Sequence, residues 1–196
     1  MAIDRMNERM KIEIEKCLEV LKSGGIILYP TDTIWGIGCD ATNENAVRKI
    51  FDLKMRSDSK SMIILLDQTG RLPSYIHEVP QQAYELMELS EEPLTLVLDG
   101  AKNVAPDLVA DDGSIGVRIV MDEFCKNLVG KLRKPIVSTS ANISGESSPA
   151  DFSEVNDKIK SGVDYIVSLR QDEKMNKKPS TILKLGIKGE IKFIRK

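Results

Sequence analysis

Apolar residues recur at Ile14, Cys17, Leu18 and Leu21, the i, i+3, i+4, i+7 spacing of one helix face, and the glycines at 24 and 25 end that run. The period then changes. "IILYP" is a continuous apolar stretch of strand length, and after it Thr42 or Asn43 caps a helix whose inward face is Val47, Ile50 and Phe51, ending near "LKMR". Met62 to Leu66 reads as a buried strand and residues 79–90 as a helix. "PLTLVLDG" and "SIGVRIV" read as strands, "MDEFCKNLVGKL" as a helix with Phe124, Leu128 and Leu132 inward, and "PIVS" as a short strand. A polar loop from Ser138 to Pro149 precedes a helix through Phe152, Val155 and Ile159, which leads to "DYIVSL". The tail "STILKLGIKGEIKFIRK" predicts a hairpin across Gly186 to Gly189.

Helices and strands alternate early while the tail is antiparallel. This places the chain in the α/β class, with a twisted mixed parallel/antiparallel sheet and flanking helices, and no internal repeat. A length of 196 residues, 41% hydrophobic and 30% charged, suits one domain over residues 1–196 with a real core. A net charge of −2 and a pI near 5.6 argue against a surface that is basic throughout, so any tRNA or double-stranded RNA contact is local or weak. Cys17, Cys39 and Cys125 are odd in number and far apart, which fits reduced core thiols rather than a disulfide framework or a zinc site. The charged N-terminus has no apolar signal region and no later stretch approaches a membrane span, so the expected setting is the cytoplasm.

The stretch "LYPTDTIWGIGCDA" leaves an apolar run and sets Thr31, Asp32 and Thr33 side by side, more polar groups than a turn requires and a first pointer to a ligand. "KMRSDSK" holds Lys54, Arg56 and Lys60; in extended backbone Lys54 and Arg56 share a face, and an arginine fork beside a lysine suits a triphosphate or a carboxylate. Solvated charge after a helix end is the plainer reading of that run taken alone. "VSTSANISGESSP" holds five serines, Thr139 and Asn142 in thirteen residues, small polar groups suited to phosphate oxygens. A helix capped at Ser147 or Ser148 with Pro149 at its first position explains part of it, but not Ser138, Ser140 and Asn142.

Neither a Walker motif nor GxGxxG occurs, and His77 is the sole histidine, which disfavours His-rich metal sites and a Ser-His-Asp hydrolase. Trp35 reads as core or pocket wall. Arg118, inside an apolar strand, needs a partner, either an internal carboxylate or a ligand anion. "QDEKMNKKP", residues 171–179, reads as an exposed loop, an ordinary surface loop first and a lid second.

Taken in order along nearly the whole chain, "YPTDTIWGIGCDA", "KMR", "PLTLVL", "GVRIV", "STSANISGE" and "PSTIL" resemble the YrdC-like family of threonylcarbamoyl-AMP synthases. The resemblance implies the YrdC-like fold around a concave, positively lined cavity. It also implies synthesis of threonylcarbamoyl-adenylate and pyrophosphate from L-threonine, bicarbonate or CO2, and ATP, with Mg²⁺ on the phosphates and no metal held by the protein. The product feeds threonylcarbamoyladenosine formation in tRNA through a partner transferase. On the family's pattern Lys54, Arg56, Ser140 and Asn142 form the catalytic KxR and SxN signature, while Thr33, Arg118, Ser138 and Ser180 take threonine. Arg56, Lys60, Ser114, Ser140, Ser148 and Arg195 surround ATP. Here "KMRS" replaces the common KGRP, "EEPLT" stands where PGP usually precedes LT, Trp35 replaces a tyrosine, and an "ILL" run stands where some members have a histidine. No additional C-terminal domain is expected.

Three other readings compete. A paralogous branch of the family lacks an assigned reaction and tends to lose KxR and SxN, both intact here. A non-enzymatic RNA-binding or translation-associated module would use the basic rim, against the acidic pI, and would show strong salt dependence. A carbamoyltransferase system carries a related domain inside a much larger chain.

Overall fold

A computed structural model describes residues 2–55, 62–173 and 179–195. Six helices, α1 (Ala2–Lys22), α2 (Glu44–Leu53), α3 (Leu72–Tyr75), α4 (Gln81–Leu89), α5 (Glu123–Leu132) and α6 (Asp157–Gly162), flank a sheet of nine strands among the described residues. The strands are β1 (Ile27–Pro30), β2 (Trp35–Gly38), β3 (Ile63–Leu66), β4 (Leu94–Asp99), β5 (Ser114–Ile119), β6 (Ile136–Ser140), β7 (Tyr165–Ile166), β8 (Thr181–Leu185) and β9 (Ile191–Arg195). Their spatial order is β7-β1-β2-β6-β3-β5-β4-β8-β9. Three pairings, β1 with β7, β3 with β5 and β4 with β8, are parallel and the rest antiparallel, so the sheet is mixed, as the alternation of elements predicts.

Period-two alternation splits the core between the two faces of the sheet. Ile27 and Tyr29 of β1 join Ile14, Cys17 and Leu21 of α1 and Phe124, Leu128 and Leu132 of α5 on one face. Ile26 and Leu28 join Val47 and Ile50 of α2, with Trp35, Ile37 and Ile159, on the other. Trp35 is fully buried and its ring packs at a tilt against Phe152, centroids 4.8 Å apart, which decides for core over pocket wall. The three cysteines are buried free thiols, and burial first, with Glu13 behind it, pushes Cys17 up to about 12.

Several local readings need correction. The hydrophobic spacing through Phe152, Val155 and Ile159 is not one helix: a 3₁₀ turn over Phe152–Glu154 and the short α6 are separated by Val155 in extended geometry. Asp151 and Asn156 each cap a turn of their own with a side-chain oxygen, so the caps fall there and not at Ser147 or Ser148. The backbone after α2 is not extended either, because Lys54 is helical and Met55 has φ +52°, which removes the period-two argument linking Lys54 to Arg56. Finally, Trp35–Gly38 forms a strand that the sequence pattern did not separate from its turn, since two glycines interrupt the apolar run.

One of those glycines is required by space. A Cβ on Gly38 would lie 2.5 Å from the Val137 carbonyl oxygen and 2.7 Å from the Tyr29 ring, both in neighbouring strands that cannot retreat. Gly38→Ala is therefore expected to lose about 1–3 kcal/mol of stability by overpacking, read as a lower thermal midpoint. An unchanged midpoint would mean that β2 shifts freely.

Candidate active site

Thr31, at the end of β1, builds the turn into β2. Its hydroxyl accepts from the backbone N–H groups of Thr33 (3.1 Å) and Ile34 (3.2 Å) and donates to the Ile34 carbonyl (2.7 Å). The hydroxyl oxygens of Thr31 and Thr33 also lie 2.9 Å apart. The lone pairs of Thr33 accept from Arg118, whose NH1 lies 3.3 Å away. Of the two threonines that raised the question of a ligand, Thr31 makes the turn, Thr33 meets Arg118, and both line the cavity described next.

Arg118 rises from β5, where Leu65 and Thr95 are its neighbours on the flanking strands. It is only 3% exposed. A buried cation requires a counter-charge, and Asp32 supplies it: the carboxylate Oδ1 is 3.1 Å from NH2, while Oδ2 accepts the Met121 N–H at 3.1 Å. The sequence alternatives for Arg118 were an internal carboxylate or a ligand anion, and the first is present while the guanidinium still lines a cavity.

That cavity, of about 260 Å³, is walled by residues distant in sequence, among them Thr33, Arg118, Ser138, Ser140, Ser180 and Arg195. Ser138 and Ser140 lie in β6 rather than in a loop. Ser180 shares a 2.8 Å hydrogen bond with Thr95, and its carbonyl accepts both Nε (3.2 Å) and NH2 (2.9 Å) of Arg195 on the last strand. Burial first, then the charge of Arg118, lowers the pKa of Arg195 below its ordinary value, so two guanidinium groups feel each other across a pocket suited to anions. Ser114 and Ser148 complete the wall. The Ser114 hydroxyl is given to Asp112, itself tied to Lys184 at 2.7 Å, and these contacts, the lysine's foremost, hold Asp112 well below the usual carboxylate range.

Lys54 and Asn142 stand behind this wall. The Lys54 ammonium is buried and donates to the carbonyls of Ser140 and Asn142, while the Lys54 carbonyl accepts the Ser144 N–H at 2.9 Å. Asn142 donates to the carbonyls of Ile143 (2.9 Å) and Glu146 (2.8 Å). Arg56 and Lys60 lie outside the described residues, as does most of the 171–179 loop. Among the described residues no three His, Cys, Asp or Glu side chains are grouped to hold a metal, and no helix is long and apolar enough to cross a membrane.

Residues missing from the sequence-derived set are Asp32, Thr95, Asp112 and Arg170. The last has φ +62° and donates to the Thr31 carbonyl at 3.2 Å and to Glu173 at 2.8 Å. Asp32 was visible beside Thr33, but nothing in the chain order links it to a strand 86 residues on.

Near the base of the same turn, Asp122 caps α5 through Oδ1, which accepts the Cys125 N–H at 3.0 Å, whereas Oδ2 is buried without a partner among the described residues. Desolvation, outweighing the Cys125 hydrogen bonds and helped by the charge of Asp32, raises its pKa above the ordinary 3.8. The folded state thus holds this proton more tightly than the unfolded chain, and stability falls as pH rises from about 3.8 through the raised folded value. Asp122→Asn keeps the cap and removes the buried charge, so at neutral pH it is expected to gain on the order of 1 kcal/mol, a gain that shrinks on acidification. Thermal melts across pH check this, and a variant less stable at neutral pH would contradict it.

Comparison with known proteins decides the ancestry. The model of the Sua5/YciO/YrdC family, described as "Telomere recombination", matches residues 19–196. The chain belongs to that family. It is 32% identical over 174 residues to a threonylcarbamoyl-AMP synthase of Pseudoalteromonas translucida, covering 86% of this chain and 91% of that one. Among solved structures, P. abyssi Sua5 complexed with L-threonine superposes with a TM-score of 0.76 at 28% identity, over 88% of this chain and 50% of that one. This chain thus spans about half the length of that protein. E. coli YciO, at 24% identity and a TM-score of 0.80 over 95% of this chain and 89% of that one, shares the fold, which is YrdC-like.

Proposed function

We propose that the protein is a threonylcarbamoyl-AMP synthase, converting L-threonine, bicarbonate or CO2, and ATP into threonylcarbamoyl-AMP and pyrophosphate for tRNA modification in the cytoplasm. The observation that carries this reading is the convergence on one cavity of Thr33, Arg118, Ser138, Ser180 and Arg195, which come from separate parts of the chain and are the residues that motif resemblance assigns to the substrates. Relatives named threonylcarbamoyl-AMP synthase and the threonine complex of a related Sua5 support it.

On this reading Arg118, with Thr33, Ser138 and Ser180, holds L-threonine. Arg195, Ser114, Ser140 and Ser148, with Arg56 and Lys60, meet ATP, whose Mg²⁺ arrives on the triphosphate as part of the substrate. The threonine amine adds to CO2 and loses a proton, giving a carbamate. A carbamate oxygen then bonds to the α-phosphorus while the bond to pyrophosphate breaks, so no protein nucleophile is required. The work of the chain is alignment and charge stabilisation by preplaced donors. Lys54 and Asn142 act from behind, fixing the backbone that presents Ser140. A partner transferase receives the adenylate.

Pyrophosphate release from ATP and bicarbonate, assayed with threonine, serine, alanine or no amino acid, tests this. Release should be fastest with threonine, slower with serine and near the blank with alanine. Release that ignores the amino acid would overturn the reading.

A further inference from the structure

We propose that Asp32, which lies outside the cavity wall, is the residue that positions Arg118 to receive the carboxylate of the amino-acid substrate, an inference that rests on the function proposed above. Its side chain is 5% exposed and lies within reach of Arg118 NH2, not of the open pocket. The two carboxylate oxygens do different things. Oδ1 faces the guanidinium, and Oδ2 accepts the N–H of Met121, two residues past the end of the strand that bears Arg118. The carboxylate therefore bridges the turn carrying Thr33 to the strand carrying Arg118 and fixes their relative placement.

The guanidinium is gripped on one side only. NH1 is held by Thr33 and NH2 faces Asp32, whereas Nε is buried with no partner among the described residues. An arginine has five N–H donors in a rigid fork, and one with a single edge engaged keeps donors for a planar carboxylate. Asp32 also supplies the negative charge that lets Arg118 remain inside the protein beside Arg195. Removing that charge frees the fork to rotate toward solvent or away from Arg195, so ordered recognition of the substrate carboxylate is lost while the ATP side is untouched.

Asp32→Asn is the informative variant, since it keeps the shape and the acceptor for Met121 but not the charge. Steady-state kinetics and thermal midpoints would be measured for this variant alone and combined with Arg118→Met. With Asp32→Asn, KM for threonine should rise about tenfold, with kcat within about twofold and KM for ATP unchanged. In the Arg118→Met background the same substitution should add nothing to KM, because it acts only through Arg118. An unchanged threonine KM, a parallel rise in the ATP KM, or a full additional effect in the double variant would each overturn the inference. A wild-type protein that makes no threonylcarbamoyl-AMP would instead overturn the proposed function, and this inference with it.

Discussion

Arg118→Met is expected to lower kcat/KM for threonine by at least about 100-fold, the scale seen when one preplaced hydrogen-bond donor is removed from a reacting site. Methionine fills much of the same volume, but it leaves Asp32 as a buried carboxylate without its cation. Breaking one side of such a pair costs about 3–5 kcal/mol, so the thermal midpoint should fall as well. Adding Asp32→Asn to Arg118→Met separates the two effects. The double variant should recover most of the lost stability and none of the activity. Recovery of turnover would show that Arg118 only supports the fold.

Lys54→Met should be nearly as damaging, for a different reason. The buried ammonium ties together the carbonyls of Ser140 and Asn142, and the same residue's carbonyl holds Ser144, so one side chain and its backbone set the course of the whole loop. Without the amine two buried acceptors lose their donor, at about 1–3 kcal/mol each. A shift of about 1 Å in reacting groups can cost 10²-fold in rate, so a loss of that order is expected together with faster hydrogen exchange at the Asn142 and Ser144 amides. Lost turnover with unchanged exchange would instead give Lys54 a direct contact with substrate.

Most strands and the long helices were legible because their hydrophobic periods are clean, as in α1 and α5, where Ile14, Cys17, Leu21, Phe124, Leu128 and Leu132 are buried as the spacing indicates and Leu18 is partly so. The segment 149–162 misled because Val155 and Ile159 are buried and Phe152 partly buried at helical spacing, although Asp151 and Asn156 each start a separate turn. Motif resemblance named Thr33, Arg118, Ser138 and Ser180, and the fold gathers all four at one cavity. What could not be read is pairing. Asp32 with Arg118, Thr95 with Ser180, Asp112 with Lys184, and Arg170 with Thr31 join strands and turns that only the sheet order β3-β5-β4-β8 and the β1-β2 turn bring together. Lys54 shows the same limit from the other side. Its charge suggested an anion ligand, but the partners in the structure include backbone carbonyls of the serine-rich loop.

The most direct test of the account is mass-spectrometric detection of the nucleotide product after the purified protein is incubated with ATP, Mg²⁺, L-threonine and isotopically labelled bicarbonate. Threonylcarbamoyl-AMP carrying the label in its carbamoyl carbon, formed with an equal amount of pyrophosphate, is the predicted result. Intact ATP, or AMP released without any labelled adenylate, would contradict the assignment of this cavity to threonylcarbamoyl-AMP synthesis.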